Sequence, residues 1–290
     1  MGLLTWNSPK TDGTIDDAAN IIPGAEVSGS EYLVHSQGIA AKYMADLIYF
    51  KIYAKLPDGT YVYSDMKSYS PKLYAESRIA KSTSTKTKAL CVALLNYGAA
   101  AQEYFSYKTY SLMNSGLTAD QLALVDEYYS GMMDTLVGAS ASKTTNFSYT
   151  SAAFSSRSSA VSFEGSFAIN YYFTPSKTVD GDVTFYYWDA ATYNSVSTLT
   201  KSNATGSMVM TNNGNGEYTA PISDIAAKDI DKAIYVVGVY TSGGVEYTTG
   251  ILTYSLGKYC QTTAAKDTSN MQALAKATAV YGYYAKQYFA

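Results

Sequence analysis

The segment EYLVHSQGIAAKYMADLIYF, residues 31–50, aligns without gaps with EYTAPISDIAAKDIDKAIYV, residues 217–236. Both segments begin with Glu-Tyr, carry an Ile-Ala-Ala-Lys run at the same distance and have an Ile-Tyr pair near their end. Self-similarity that is kept without gaps over this length is the mark of a repeated structural unit. The sequence therefore predicts an internal duplication.

The match continues toward the carboxyl end of each copy. YSPKLYA from Tyr69 matches YSLGKYC from Tyr254, and NYGAAAQEYF from Asn96 matches VYGYYAKQYF from Val280. It also continues upstream, where the two tryptophans of the protein lie at corresponding places. The second copy has an additional opening stretch, residues 147–182, so the first copy is either truncated at its start or takes strands from a neighbour.

Hydrophobic periodicity assigns secondary structure to each copy. Alternating apolar residues predict strands, with Ile48, Phe50, Ile52 and Ala54 as the inward set of one strand. On a strand of the second copy the alternating set is Phe163, Phe167, Ile169, Tyr171 and Phe173. Each copy then changes to helix. The helices are predicted at 71–81 (after the N-cap Ser70), 85–107, 256–266 and 269–289.

These elements predict an α+β fold with two related lobes. Each lobe is expected to be an antiparallel β-sandwich-like unit with a helical hairpin. The first lobe spans residues 1–144 and has an extra helix at 118–137, which begins with a capping box of Thr118 and Gln121. The second lobe spans residues 145–290.

Composition excludes several classes of function. The 290 residues include 21 Lys and Arg and 24 Asp and Glu, with a net charge of -3, and show no basic footprint for nucleic acid. No apolar run is long enough to span a membrane. One histidine, His35, and two cysteines, Cys91 and Cys260, do not form a clustered zinc site, and no cofactor motif is present. Low charge, few cysteines and many Ser, Thr, Tyr, Gly and Asn predict a secreted or cell-surface protein.

The chain contains 30 tyrosines, and exposed aromatic rings suit polar, ring-shaped ligands such as sugars. Trp188 and Tyr186 share a strand face with Thr184, which suits a binding platform, but both tryptophans can also be core residues. Tyr283 and Tyr284 replace Ala99 and Ala100 of the first copy, either to contact a ligand or to fill a gap. The candidate ligand-binding residues are Trp188, Tyr186, Trp6, Tyr283, Tyr284 and Tyr193.

The GIAAK motif from Gly38, the YGAAAQEYF motif from Tyr97 and the segments FYYWDAATYNSVSTLTKSNATGSM and YSLGKYCQ resemble a known group. They are similar to modules of the starch adherence system (amylosome) proteins of gut Firmicutes. The helix motif is shared with uncharacterised surface-protein modules. The resemblance covers most of the chain. It implies a non-catalytic module that binds starch or malto-oligosaccharides, and scaffold proteins as partners through modules outside this chain.

These features are compatible with three functions. The favoured one is a secreted, non-catalytic carbohydrate-binding module that recognises α-1,4-glucan at a groove on or between the lobes. The alternative is a structural or protein-binding repeat module of a bacterial surface protein, with an exposed apolar patch for its partner. A glycoside hydrolase is the third, and it requires two carboxylates that face each other across a cleft.

Overall fold

The computed structural model describes residues 1–29, 31–35, 38–133, 143–148, 152–266 and 269–290. The chain forms two compact units, residues 1–125 (unit 1) and residues 126–290 (unit 2). Both units combine antiparallel strands with α-helices, so the fold is α+β, as predicted. The predicted lobe boundary at 144/145 lies within the residue range of unit 2, shortly after residues that are outside the description.

The described residues of unit 1 contain these elements: β1 (Gly2–Trp6), β2 (Asn20–Pro23), β3 (Ala25–Ser28), β4 (Glu31–Leu33), β5 (Ile48–Lys55), β6 (Tyr61–Tyr63), β7 (Lys67–Tyr69), α1 (Pro71–Lys81), α2 (Thr85–Tyr104) and α3 (Ala119–Leu122). Those of unit 2 contain β8 (Thr144–Thr145), β9 (Phe154–Ser162), β10 (Phe167–Pro175), β11 (Thr184–Asp189), α4 (Ala190–Ser195), β12 (Thr198–Leu199), β13 (Gly206–Val209), β14 (Thr211–Asn212), β15 (Tyr218–Ile225), β16 (Ile234–Ser242), β17 (Val245–Thr248), β18 (Leu252–Tyr254), α5 (Leu256–Lys266) and α6 (Asn270–Phe289).

Unit 2 is built on two antiparallel sheets that pack face to face. One sheet has the order β13-β11-β16-β17, with β18 also paired to β16, and the other has the order β14-β15-β10-β9. Side chains from both sheets form one buried core, in which Tyr171 and Phe173 of β10 meet Phe185 of β11 and Val236 of β16. The predicted sandwich is therefore present in unit 2.

Unit 1 has a single five-stranded sheet in its described residues. Its order is β2-β1-β5-β6, with β7 also paired to β5, while β3 and β4 form a separate two-stranded sheet. The predicted inward set on β5 does not behave as expected, since Ile52 is 48% exposed while Lys51, on the opposite face, is 8% exposed. The physical reason is that the four-stranded sheet of unit 2 has only the two strands β3 and β4 as a counterpart in the described part of unit 1.

The five-stranded sheets of the two units have the same strand register. Trp6 lies opposite Tyr49 across β1 and β5, and Trp188 lies opposite Tyr235 across β11 and β16. The next pairing agrees as well, since Tyr69 lies opposite Ile48 just as Tyr254 lies opposite Ile234. The aligned sequence positions thus occupy equivalent places in the two sheets.

The helix pairs dock in the same way on the turn before the central strand. The backbone N–H of Lys72 at the start of α1 donates to the carbonyl of Met44 at 3.0 Å, and that of Gly257 in α5 donates to Ile230 at 2.6 Å. The ammonium groups of two aligned lysines also lie over phenylalanines at the ends of α2 and α6. The distances to the ring centroids are 4.3 Å for Lys42 over Phe105 and 5.2 Å for Lys228 over Phe289.

Helix boundaries follow the sequence closely, with one exception. The Ser70 side chain caps α1 by accepting from the Leu73 N–H, as predicted. The predicted helix 118–137 is wrong in length: the capping box of Thr118 and Gln121 forms, but the helix ends at Leu122. Residues 134–137 of that prediction lie outside the described residues. The predicted strand through Phe163 is also interrupted, because Phe163 lies in the turn between β9 and β10.

Two buried tyrosine hydroxyls in unit 2 differ in their partners, and this difference generates a prediction. Tyr240 Oη donates to the carbonyl of Ala153 at 2.7 Å, whereas Tyr171 Oη has no hydrogen-bond partner among the described residues. Burial raises the pKa of the Tyr171 phenol, which keeps it neutral. We expect Tyr171→Phe to raise the free energy of unfolding by about 1 kcal/mol and Tyr240→Phe to lower it by about 1 to 2 kcal/mol.

Urea titration of both variants, followed by circular dichroism, measures the two effects. Each variant loses one oxygen from a buried ring, so the pair is matched for volume. Equal destabilisation by both variants would mean that Tyr171 has a partner in the folded protein.

Candidate functional site

Three tyrosine rings form a row on the β5–β6 hairpin of unit 1. Tyr53 of β5 lies opposite Tyr63 of β6, and Lys55 lies opposite Tyr61, so all four side chains are on one face of the sheet. The ring centroids of Tyr53 and Tyr61 are 6.0 Å apart, and those of Tyr61 and Tyr63 are 6.5 Å apart with an interplanar angle of 18°. Tyr61 is exposed and the other two rings are half-buried. We call this set the tyrosine row.

The hairpin turn holds the row in place. Leu56 N–H donates to the Thr60 carbonyl across the turn, and Gly59 adopts a positive φ of 88°, which a residue without Cβ accepts readily. The Asp58 carboxylate accepts from both the backbone and the hydroxyl of Thr60. These hydrogen bonds lower the pKa of Asp58, so the turn is held by a charged acceptor at neutral pH.

Two of the rings also contact the backbone of neighbouring segments. Gly2 lies opposite Tyr53, and a Cβ at this glycine would come within 2.7 Å of the Tyr53 ring, so the absence of a side chain lets the ring lie across β1. Tyr63 Oη accepts from the Ile15 N–H at 3.4 Å. Tyr53 and Tyr63 thus both lie against backbone, and such contacts restrict the rotation of a ring before a ligand binds.

The chemistry of the row suits a ligand with both apolar and hydroxyl surface. The tyrosine faces provide flat apolar area, and their hydroxyls provide donors and acceptors. The Lys55 ammonium lies 5.6 Å from the Tyr61 centroid and adds a donor at the end of the row. A pyranose ring has this combination of flat C–H faces and peripheral hydroxyls.

The tryptophans predicted as platforms are core residues, so the exposed-platform interpretation of Trp188 and Trp6 is wrong. Trp188 is 0% exposed and Trp6 is 3% exposed. The indole N–H of Trp188 donates to Asn203 Oδ1 at 3.0 Å, and that of Trp6 donates to the Asp17 carbonyl at 3.0 Å. Their faces and polar atoms are both occupied by protein.

Tyr193 and Tyr186 lie around Trp188 in a second buried cluster of unit 2. Tyr193 is 2% exposed and stacks on Tyr235 with ring centroids 3.5 Å apart, so its ring face is not open to a ligand either. Tyr186 is half-buried, packs on Phe147 and has the Lys201 ammonium 5.7 Å from its centroid. Of these two, only Tyr186 keeps accessible ring surface.

Tyr283 and Tyr284 on α6 have different environments. Tyr284 is 9% exposed, and its hydroxyl accepts from the Asp126 N–H at 2.9 Å, so it fills space between α6 and the segment that follows α3. Tyr283 is half-buried and lies next to the exposed ring of Tyr129, with centroids 6.3 Å apart. The gap-filling interpretation therefore applies to Tyr284, and Tyr283 retains accessible surface.

Sequence reasoning missed the tyrosine row, although the signal was present. The alternation along β5 already placed Tyr53 on the face opposite Ile52. The Pro57-Asp58-Gly59 turn then brings the Tyr-Val-Tyr run of β6 back across it. Hairpin pairing alone would therefore have collected Tyr53, Tyr61 and Tyr63 on one surface.

The residues of the described ranges give little support for a metal site, a reactive thiol or a membrane-spanning helix. No group of three or more His, Cys, Asp or Glu side chains in those ranges is placed to hold a metal ion. Cys91 and Cys260 are buried, and burial raises the pKa of both thiols. None of the helices in those ranges has the length and apolar character needed to cross a bilayer.

Comparison with known proteins yields little similarity. No family model matches the chain, and no curated protein matches it. One solved structure, the crystal structure of a Br derivative of BhCBM56, shares 16% sequence identity with this chain. The matched region covers 37% of this chain and 96% of the BhCBM56 chain, with a TM-score of 0.25. A likeness at this identity and TM-score carries no inference about the function of the present chain.

The burial of Trp188 predicts a large stability effect. We expect Trp188→Ala to lower the free energy of unfolding by about 3 to 5 kcal/mol, because it opens a cavity and leaves Asn203 without its indole donor. Denaturant titration measures the loss. Tyr110→Ala, at a side chain that is 86% exposed, is the control and should change stability by less than about 0.5 kcal/mol. Unchanged stability of the Trp188 variant would contradict its assignment to the core.

Proposed function

We propose that this chain is a non-catalytic carbohydrate-binding module and that the tyrosine row of unit 1 is its binding surface. The observation that carries the proposal is the geometry of Tyr53, Tyr61 and Tyr63, three adjacent rings on one face of a hairpin. A row of rings can contact consecutive sugar units of a polysaccharide, whereas a single ring contacts one. Hydroxyl and ammonium groups at its edge provide hydrogen bonds for orientation.

The ligand class that we propose is α-1,4-glucan, as starch or malto-oligosaccharides. This specificity rests on the resemblance of the helix and strand motifs to starch adherence modules. The same resemblance supports a secreted or cell-surface location, and scaffold proteins as partners through modules outside this chain. The low charge and the high content of Ser, Thr, Tyr, Gly and Asn agree with that location.

We further propose that units 1 and 2 are copies of one ancestral module. The matched register of the Trp-Tyr pairs, the matched helix docking and the repeated lysine–phenylalanine contacts support this origin. The tyrosine row is not repeated. The counterpart of Tyr53 in unit 2 is Val239, a buried core residue. The proposed site therefore belongs to the divergent part of the duplication.

Affinity electrophoresis tests the proposed function. We expect the protein to migrate more slowly in native gels that contain amylopectin than in gels without polysaccharide. Tyr61→Ala should weaken binding about 5- to 10-fold, because an aromatic contact contributes roughly 1 kcal/mol beyond its buried area. Its ring is exposed, so the variant should keep the stability of the parent protein.

Tyr110→Ala is the matched control, since it also removes an exposed tyrosine ring from unit 1 but lies outside the row. It should migrate like the parent protein in both gels. Migration of the parent protein that is unaffected by amylopectin would overturn the starch proposal. Equal loss of retardation in both variants would overturn the assignment of the site to the row. Release of reducing sugar from starch by the protein would contradict a non-catalytic role.

A further inference from the structure

Unit 1 exposes a broad apolar face on the side of its sheet opposite the tyrosine row. Ile52 of β5 is 48% exposed, Val62 of β6 is 47% exposed and Tyr69 of β7 is 46% exposed. Tyr74 of α1, beside this face, is 46% exposed. Contiguous apolar surface of this kind on a soluble protein usually marks an interaction site. We call it the open face.

The equivalent face in unit 2 is covered, and the shared register identifies what covers it. Leu3 and Phe50 lie on the same side of the sheet as Ile52. They correspond to Phe185 and Val236 of unit 2, which are both 0% exposed. These two residues belong to the core that unit 2 forms with Ile169, Tyr171 and Phe173 of β10. Among its described residues unit 1 has no counterpart of β9 and β10, so the same sheet face is left open.

The small sheet of unit 1 is incomplete at the same place. Glu26 lies opposite Tyr32 across β3 and β4. Asn212 lies opposite Tyr218, the aligned residue of Tyr32, across β14 and β15, so the two strand pairs have the same register. The other edge of β15 pairs with β10. In the described ranges β4 pairs with β3 alone, so its second edge is a free template for a strand.

A cavity of about 280 Å³ lies on the open face, between the sheet and α1. Its lining includes Leu3, Ile39, Ile48, Phe50, Tyr69 and Tyr74. In unit 2 aromatic rings of the β9–β10 hairpin lie at this place. The counterpart of Tyr74 is Tyr259, whose ring centroid is 5.9 Å from that of Phe163. The counterpart of Leu3 is Phe185, whose ring centroid is 5.7 Å from that of Tyr171. The cavity thus occupies the position that apolar side chains of a hairpin take in unit 2.

We propose that the open face binds an extended strand of another protein, which takes the place of β10, pairs with the free edge of β4 and inserts alternate apolar side chains. Both parts of the surface point to a strand: the free edge offers backbone hydrogen bonds, and the apolar face offers sites at every second residue. This surface and the tyrosine row lie on opposite faces of the sheet, so the two proposed sites are distinct.

A second copy of this chain is a poor source of the strand. Its own β10 pairs with both β9 and β15, and Ile169, Tyr171 and Phe173 are at most 1% exposed. Donating β10 to another molecule would therefore expose the core of unit 2. The occupant that fits is a separate protein with a strand of the same alternating pattern.

One position on the open face, Ile52, restricts which strand sequences can bind there. In unit 2 Phe173 lies against Gly238, where an added Cβ would be 2.5 Å from the ring. The residue of unit 1 that corresponds to Gly238 is Ile52. A strand that binds the open face must therefore carry a small residue where β10 has Phe173.

A labelled peptide of residues 154–175 of this chain tests the proposal by fluorescence anisotropy with the full-length protein. The peptide with Phe173→Ala should bind saturably and at least about tenfold more tightly than the unaltered peptide, because it removes the clash with Ile52. Ile52→Gly in the protein should restore binding of the unaltered peptide. Nonspecific apolar adhesion predicts the opposite order, since the alanine peptide is less hydrophobic.

Ile52→Asp in the protein should abolish binding of the alanine peptide, and its exposed position means that the fold is retained. Val209→Asp, at an exposed valine of unit 2, is the matched control and should leave binding unchanged. Tighter binding of the unaltered peptide, or equal loss in both aspartate variants, would overturn the proposal. So would a dimer of the parent protein in light scattering that Ile52→Asp dissociates, because a second copy would then be the occupant.

Discussion

A β-sheet that carries apolar side chains on both faces is most stable in water where both faces are covered. Unit 2 meets this condition over the centre of its five-stranded sheet: one face packs on the second sheet, and the other packs on Phe147, Tyr193 and Leu199. Unit 1 meets it on one face only. There the loop after β1 covers Trp6, and the buried Lys51 ammonium holds that loop by donating to the carbonyls of Thr11 and Gly13.

The same sheet thereby carries both proposed binding surfaces of unit 1. Successive side chains of a strand point to opposite faces, so the neighbours Ile52 and Tyr53 on β5 belong to the open face and to the tyrosine row. A polysaccharide on the row and a strand on the open face would lie on opposite sides of one sheet. The two proposed ligands therefore need not compete for unit 1.

Sequence patterns predicted local structure well where the local physics is strong. The cap at Ser70 and the capping box at Thr118 formed as expected, because each needs only residues within one turn. The helix after Thr118 was expected to continue and did not, which shows that a cap predicts a start and gives no information about length. The candidate ligand residues were less successful. Trp188 and Tyr193 are buried by the segment around α4 and β12, which a strand pattern does not reveal.

The sequence by itself determined the α+β class, most helix boundaries and the two-face alternation of the strands, because periodicity and capping are local properties. It did not determine which face of each strand is covered. The inward set of β5 was assigned by apolarity, yet Ile52 is exposed and Lys51 is buried, since burial depends on what packs above the sheet. Only the tertiary structure decided this. It placed the tryptophans in the core, gathered three tyrosines from paired strands into a row, and left one apolar face of unit 1 without a cover among the described residues.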